Sequence, residues 1–239
     1  MKFVHIADMH FDAPFSSLNR IESLGEKRRL EQRQVLKEVI EYIKQEKIEY
    51  LFIAGDFYEH EYIKQSTIEY IHKLFEEIPD TKIYIAPGNH DPFLKNSLYN
   101  TTQWGKNVFI FKGAIEKKEE DGVNIYGYGF RDFYDFNCDI ENIQLEDKSK
   151  INIFLTHGTI EGGVKDEREY NLIKTNVLKQ IGFDYIALGH IHKSNYTEKT
   201  NIVYPGSMIS LGFDELRTTR NDSGRNNSVR FKTTIYSLR

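Results

Sequence analysis

Six short apolar, β-branched or aromatic runs, at residues 3–7, 50–54, 83–86, 151–156, 185–188 and 202–204, are each followed by a small cluster of polar residues. Runs this short and this rich in branched side chains read as buried strands. The clusters are Asp8-Met9-His10, Gly55-Asp56, Gly88-Asn89-His90-Asp91, His157-Gly158, Gly189-His190-Ile191-His192 and Pro205-Gly206-Ser207. A further apolar run, 108–111, has no such cluster.

Between the first two runs, residues 26–47 carry Leu36, Val39, Ile40 and Ile43 at helical spacing with charges elsewhere. A second helix carries Ile68, Ile71, Leu74, Phe75 and Ile78 and stops at Pro79. A third, over 172–181, ends at Gly182. Alternating strands and helices predict an α/β fold whose early sheet is largely parallel. Strands at 123–128 and 202–204 follow one another more closely, with glycine-rich turns, and predict antiparallel or mixed pairing. The charged run 116–122 reads as a solvated hairpin or loop.

In an α/β sheet, strand C-terminal ends converge on one edge, where ligands bind. That edge would gather Asp8, His10, Asp56, Asn89, His90, His157, His190 and His192, five of the chain's eight histidines. Imidazole, carboxylate and amide oxygen together suit Mn²⁺, Fe²⁺ or Zn²⁺ better than calcium. The set is too large for one ion. Two ions sharing a carboxylate would use seven of these groups and leave one histidine for acid–base work, the economy of a two-metal hydrolase.

Charge and composition exclude other classes. Across 239 residues the net charge is −4, so no global positive field draws the chain to nucleic acid or a membrane surface. An active site needs positive potential only locally, and bound metal supplies it. No apolar run approaches the roughly 18–20 residues of a membrane helix. The N-terminal run meets Asp8 before a signal-peptide core forms, and Cys138, the single cysteine, makes no internal disulfide, so the cytoplasm is the expected location. Six of the 32 basic residues and one of the 36 acidic ones fall in 216–239, a net of +5 against −9 for 1–215. The expected organisation is a catalytic domain over 1–215 and a basic polar tail over 216–239. In that tail Val229, Phe231, Thr233 and Ile235 alternate as a closing strand at 229–236 would.

Taken in order, Asp8-X-His10, Gly55-Asp56, Gly88-Asn89-His90-Asp91, His157 and Gly189-His190-X-His192 resemble the five blocks of the calcineurin-like metallophosphoesterase superfamily. Within it, the chain is similar to DNA-repair exonucleases of the SbcD type, and the stretch 7–15 is most similar to their YhaO-like branch. The resemblance covers residues 1 to about 215. It implies a sandwich of two mixed β-sheets flanked by helices, with the metal site at the strand C-terminal edge. It assigns Asp8, His10 and His192 to one divalent ion, Asn89, His157 and His190 to the other, and Asp56 to both, with Mn²⁺ first and Fe²⁺ or Zn²⁺ as alternatives. His90 matches the catalytic histidine, with Asp91 as its orienting neighbour. The implied activity is a metal-dependent DNA nuclease. The runner-up is a phosphoesterase acting on a phosphoprotein, a cyclic nucleotide or a small phosphate ester, and a third reading is a non-catalytic module on the same fold. Implied partners are DNA, a second copy of the chain, and an SbcC-like coiled-coil ATPase. The last is opposed by the chain stopping soon after 204–207, where a capping and attachment region would follow.

Several residues have blander readings beside these. His5 alternates with apolar neighbours and reads as a core histidine, and His72 as a residue packed at the solvent edge of a helix. Asp12 reads as a turn former. Glu59 and His60 lie in a loop starting at the metal edge, and a role around the site is the minority reading for both. The aromatic loop Phe130, Arg131, Phe133, Tyr134 and Phe136 reads as a hydrophobic latch before a base-stacking surface. Lys27, Arg28, Arg29 and Arg33 read as a solvated helix face before a DNA contact, and 96–104 as a candidate dimer contact.

Overall fold

The computed structural model describes residues 1–15, 24–135, 138–161, 171–197 and 200–209, with the backbone of 236–237. Four parallel strands, β1 (Lys2–Ile6), β2 (Tyr50–Ile53), β3 (Lys82–Ile85) and β4 (Val108–Ile110), lie in that order in one sheet. The connections between them contain α1 (Leu24–Glu46), α2 (Gln65–Glu76) and the single turn α3 (Leu98–Thr101). The second sheet runs β5 (Glu116–Glu120), β6 (Val123–Tyr128), β7 (Ile151–His157), β8 (Tyr185–Gly189) and β9 (Ile202–Val203), with α4 (Thr175–Ile181) between β7 and β8. Both sheets are mixed through one antiparallel edge strand. In the second it is β5, the first limb of a hairpin with β6. In the first it is β10 (Tyr236–Ser237), which pairs with Lys2 and Phe3. The rest of the expected closing strand, 229–235, lies outside the described residues. β9 joins β8 in parallel rather than antiparallel, because the twelve residues 190–201 carry the chain back across the sheet end. No helix among the described residues is long and apolar enough to cross a membrane.

Strand alternation sorts the apolar residues into three layers. Val4, Ile6, Leu51, Ile53, Ile83 and Ile85 face α1 and α2, whose stripes bury Leu36, Val39, Ile40, Ile43, Ile68, Ile71 and Phe75. The alternate residues of β1–β3, among them Phe3, Tyr50, Phe52 and Tyr84, meet Val123, Ile125, Ile153, Leu155 and Tyr185 of the second sheet. Phe154, Ile186 and Leu188 face outward onto Leu178 of α4 and Phe183. Both faces of the strands are therefore buried, which explains their continuous apolar runs.

The layer between the sheets tapers. At its base Phe3 packs edge-on against Phe52 and Tyr185, with ring centroids 5.2 and 4.8 Å apart. Toward the strand C-termini the same rows end in Ala7, Ala54, Ala86 and Ala187, all fully buried. Next along β8 is Gly189, where a Cβ would lie 1.8 Å from the Ala54 carbonyl oxygen. Only glycine permits that approach, and it brings the two sets of strand ends within side-chain reach.

Candidate metal centre

The converging ends assemble one cluster. Asp8, His10, Asp56 and His157 are almost wholly buried and Asn89 is buried. Candidate donor atoms of Asp8, His10 and His192 lie within 4.8 Å of one another, as do those of Asp56, His157 and His190 and those of His10, Asp56 and His90. The His157 Nε2 is 3.1 Å from the Asn89 Oδ1 and 3.3 Å from the Asp56 Oδ2. All eight residues anticipated at the sheet edge thus meet there. Ser207, from the sixth cluster, bridges to Ala7 and donates its backbone N–H to the His192 carbonyl.

The backbone makes this possible at a local cost. Asp8, His10, Asp56 and His190 all have positive φ, at 54°, 46°, 49° and 104°. Such conformations cost non-glycine residues about 1–3 kcal/mol each and persist only where surroundings over-determine them. Here the surroundings are cross-strand bonds. The Asp8 N–H donates to the Gly55 carbonyl, the His10 N–H to the Asp56 carbonyl and the Phe11 N–H to the Phe57 carbonyl. From α1, the Gln32 amide donates to the Met9 and His10 carbonyls at 2.8 and 2.7 Å, fixing the first loop from below.

Two carboxylates outside the predicted ligand set organise the rest. Asp91 accepts from the backbone N–H groups of Asp56, Phe57 and Gly88 and from the Tyr99 hydroxyl, at 2.6–3.0 Å. Both of its oxygens are filled, and neither holds the His90 ring, so the expectation that Asp91 orients His90 is corrected. Asp91 instead clamps the loop that carries Asp56. Tyr99 turns inward to it, and Trp104 donates to the Tyr99 carbonyl, so much of 96–104 braces the site from within the fold. The carboxylate that touches His90 is Glu59. Its Oε1 accepts from His10 Nδ1 at 2.7 Å and its Oε2 from His90 Nδ1 at 2.9 Å. The sequence signal was its place three residues after Asp56, with nothing to say that both oxygens would find imidazoles.

These contacts select tautomers. A carbonyl or carboxylate oxygen only accepts, so His157 Nδ1 donates to the Ala54 carbonyl at 2.9 Å and His10 Nδ1 to Glu59. The His10 Nε2 is thereby left facing inward without a partner, and the His157 Nε2 faces the Asn89 Oδ1 and the Asp56 Oδ2. His90, whose side chain is 44% exposed, likewise keeps Nε2 available to a ligand.

The electrostatics describe a site built around cations. Burial alone would raise Asp56, yet the imidazoles of His157, His90 and His10 hold its carboxyl well below the usual range. Burial would lower His157 and His90, but Asp56 beside the first and Glu59 with Asp56 beside the second push each up to about 9. Glu59, despite its burial, is drawn down to about 2 by hydrogen bonds from His10 and His90. Burial and the Asp56 charge push Asp91 up to about 6. Among the described residues neither Asp8 nor Asp56 has a Lys or Arg partner. The His10 Nε2 is buried with no hydrogen-bond partner, 3.7 Å from the Asp56 Oδ2. Buried carboxylates without a fixed counter-charge and an inward lone pair without a donor both call for divalent cations. The residues fit two such ions.

The other readings divide. His5 is a core histidine, bonded through Nδ1 to the Tyr185 hydroxyl at 3.0 Å and lowered by burial to about 3. His72 packs beside Trp104 and meets the Gln103 carbonyl. Asp12 does form a turn, with φ 62°, but its Oδ2 also accepts from the Lys64 N–H and the Thr67 hydroxyl at the start of α2. Arg28 pairs with Glu31, and Arg33 straps α1 to α2 through Thr67, so the basic cluster is engaged locally. Of the aromatic loop, Phe130 is wholly buried against His157, Tyr134 is 69% exposed, and Phe136 lies outside the described residues.

The chain is 24% identical over 218 residues to the uncharacterized metallophosphoesterase YhaO of Bacillus subtilis (strain 168), covering 87% of this chain and 53% of that protein. It therefore spans about half the length of that curated relative. A solved structure described as GAP50, the anchor in the inner membrane complex of Plasmodium, aligns with a TM-score of 0.46 at 13% identity, over 95% of this chain and 76% of that one. The family model for calcineurin-like phosphoesterases matches residues 1–194, which include every member of the cluster. That family uses a dinuclear divalent metal site, and the groups Asp8–His10–His192 and Asp56–His157–His190 are candidates for it. By this match the chain belongs to the calcineurin-like phosphoesterase family and is a metal-dependent phosphoesterase hydrolase.

Proposed function

We propose that the protein is a two-metal phosphodiesterase acting on DNA, a nuclease of the SbcD type. The observation that carries the two-metal reading is Asp56 between two donor groups, within one of them together with His157 and His190 and 3.7 Å from His10 of the other, Asp8–His10–His192. Asp8, His10, His192 and Asp56 would hold one ion, and Asp56, Asn89, His157 and His190 the other. Mn²⁺ suits this mixed set of imidazole, carboxylate and amide oxygen, ahead of Fe²⁺ and Zn²⁺. When bound, two such ions neutralise the phosphate and bring the pKa of water from 15.7 toward 7.

The chain's own residues do the remainder. Glu59 holds His90 by Nδ1, so the ring meets substrate with Nε2. Water oxygen, its proton released to solvent, bonds to phosphorus as the bond from phosphorus to the leaving oxygen breaks, and His90 Nε2 gives its own proton to that leaving oxygen. Glu59, accepting from the His90 Nδ1, favours the protonated ring that this step requires. DNA as substrate is supported by the ordered sequence blocks and their resemblance to SbcD-type exonucleases. A reducing cytoplasm is the compartment proposed, since the one cysteine, Cys138, is a thiol raised by burial to about 12 and has no second cysteine to pair with.

The test compares linear DNA with bis(p-nitrophenyl) phosphate in Mn²⁺. Cleavage of both is expected. Robust turnover of the small diester with no action on single- or double-stranded DNA would replace the nuclease with a small-ester or phosphoprotein phosphoesterase.

A further inference from the structure

We infer that Phe133, with His60 against it, forms a stacking face for the nucleobase carried by the leaving group. The inference rests on the phosphodiesterase reading above and extends it to what the substrate must carry beyond the phosphate.

Two loops meet beside His90. One follows Asp56 and contains Glu59, His60 and Tyr62; its His60 N–H donates to the His90 carbonyl at 3.0 Å. The other follows β6. Its Phe130 exchanges backbone bonds with the His90 loop, accepting from the Phe93 N–H at 2.7 Å and donating to the Pro87 carbonyl at 2.9 Å. The loops touch through the His60 and Phe133 rings, whose centroids are 5.6 Å apart at 70°. Exposed large apolar side chains are few among the described residues: Leu30, Tyr62, Tyr134 and Leu172. Two of these four flank the His60–Phe133 contact in sequence. His60 and Phe133 are themselves half-buried, so each leaves part of its ring open beside the His90 loop.

The chemistry of the surface selects that partner. His60 Nδ1 is buried without a hydrogen-bond partner and the two rings meet edge to face, so what the pair offers a ligand is aromatic surface. Neutral aromatic edges and faces bind flat π-systems, and stacking of a base on an aromatic side chain tolerates any base. The oxygen that His90 protonates departs on the His90 side, so the nucleoside attached to it passes this face.

The test uses short single strands with one abasic nucleotide placed in turn on either side of the cleaved bond, in Mn²⁺. Wild type is expected to cut more slowly, by about ten- to a hundred-fold, when the abasic nucleotide lies on the leaving side. In Phe133→Ala that penalty should shrink to within about three-fold, and Phe133→Trp should keep it. A second readout needs no turnover: with chelator present, a strand carrying 2-aminopurine at that position should be quenched by wild type and not by Phe133→Ala. Equal cutting of abasic and intact strands by wild type overturns the stacking face, as does a penalty unchanged in Phe133→Ala. So does the same dependence on Phe133 for p-nitrophenyl phosphate without any abasic penalty, which would make the occupant a phenol. Failure of wild type to cut any diester overturns the underlying phosphodiesterase reading instead.

Discussion

The first sheet delivers both carboxylates, the amide, His10 and His90, whereas the second delivers imidazoles alone: His157, His190 and His192. They also differ in support. The first half is laced to itself, with Asp91 across the Asp56 loop, Glu59 across His10 and His90, and backbone bonds from Asp8 and His10 to the β2 loop. The second half leans on the first. His157 Nδ1 finds its acceptor on Ala54, and the His190 N–H donates to the Asp8 carboxylate. One half therefore carries the negative charge and its rigid frame, and the other completes the coordination. The second half should be more easily lost without losing the first.

Replacing the shared carboxylate is the harshest test of that asymmetry. Asp56→Ala removes a donor from both positions and should leave no tightly bound metal. Affinity should fall by more than the roughly 10- to 100-fold that loss of an outer hydrogen-bond partner costs. His157→Ala should leave one equivalent of metal held by Asp8, His10, His192 and Asp56. Elemental analysis of dialysed protein reads both. If His157→Ala also emptied the site completely, the halves would not be separable.

Function separates from frame at His90. His90→Asn should retain two equivalents of metal and lose about 10²- to 10⁴-fold in diester hydrolysis, the usual contribution of a positioned general acid. Steady-state rates together with metal content check this. Near wild-type turnover would remove His90 from the proton step.

Asp91 tests whether the first half is a frame at all. Asp91→Ala would strand three backbone N–H groups and the Tyr99 hydroxyl, and each buried group left unpaired costs about 1–3 kcal/mol. Allowing for water entering the gap, a loss of at least about 3 kcal/mol is expected, read from the midpoint of urea unfolding. A shift below about 1 kcal/mol would show that Asp91 does not hold the Asp56 loop.

What the sequence made legible follows the same division. The ligands were readable because each sits at the end of an apolar run, where strand direction alone decides which edge it reaches. The taper of alanines ending in Gly189 was visible as residues but not as a close approach of two sheets, which needs the partner strands. Asp91 was misread because adjacency to His90 in the chain is not adjacency in space: its side chain turns back to peptide groups some 35 residues earlier. Gln32 passed unnoticed as one polar residue on an apolar helix face, although a buried amide on such a face signals backbone carbonyls to be satisfied. The parallel entry of β9 was hidden because the polar stretch 190–201 between two short apolar runs looks like a hairpin loop.

The smallest expected effect comes from the contrast between His5 and His157, two deeply buried histidines with opposite fates. His157 lies beside Asp56 and is pushed up to about 9; His5, bonded to a neutral tyrosine hydroxyl within the layer between the sheets, is pushed down by burial to about 3. In the unfolded chain His5 titrates near 6.5, so above that pH neither state binds its proton and the group leaves stability unchanged. Between 6.5 and 3 the unfolded chain takes up a proton that the folded core refuses, and stability falls as pH falls, by up to about 1.4 kcal/mol per pH unit. His5→Gln keeps a polar partner for Tyr185 and removes the titration. At pH 7.5 the variant should be slightly less stable than wild type. At pH 5 the gap should have closed or reversed, by about 2 kcal/mol relative to pH 7.5. Urea midpoints at the two pH values, taken with chelator so that metal release does not contribute, give the comparison. A gap independent of pH would mean that the folded core admits the His5 proton, and that burial, not charge, fails to distinguish the core from the site.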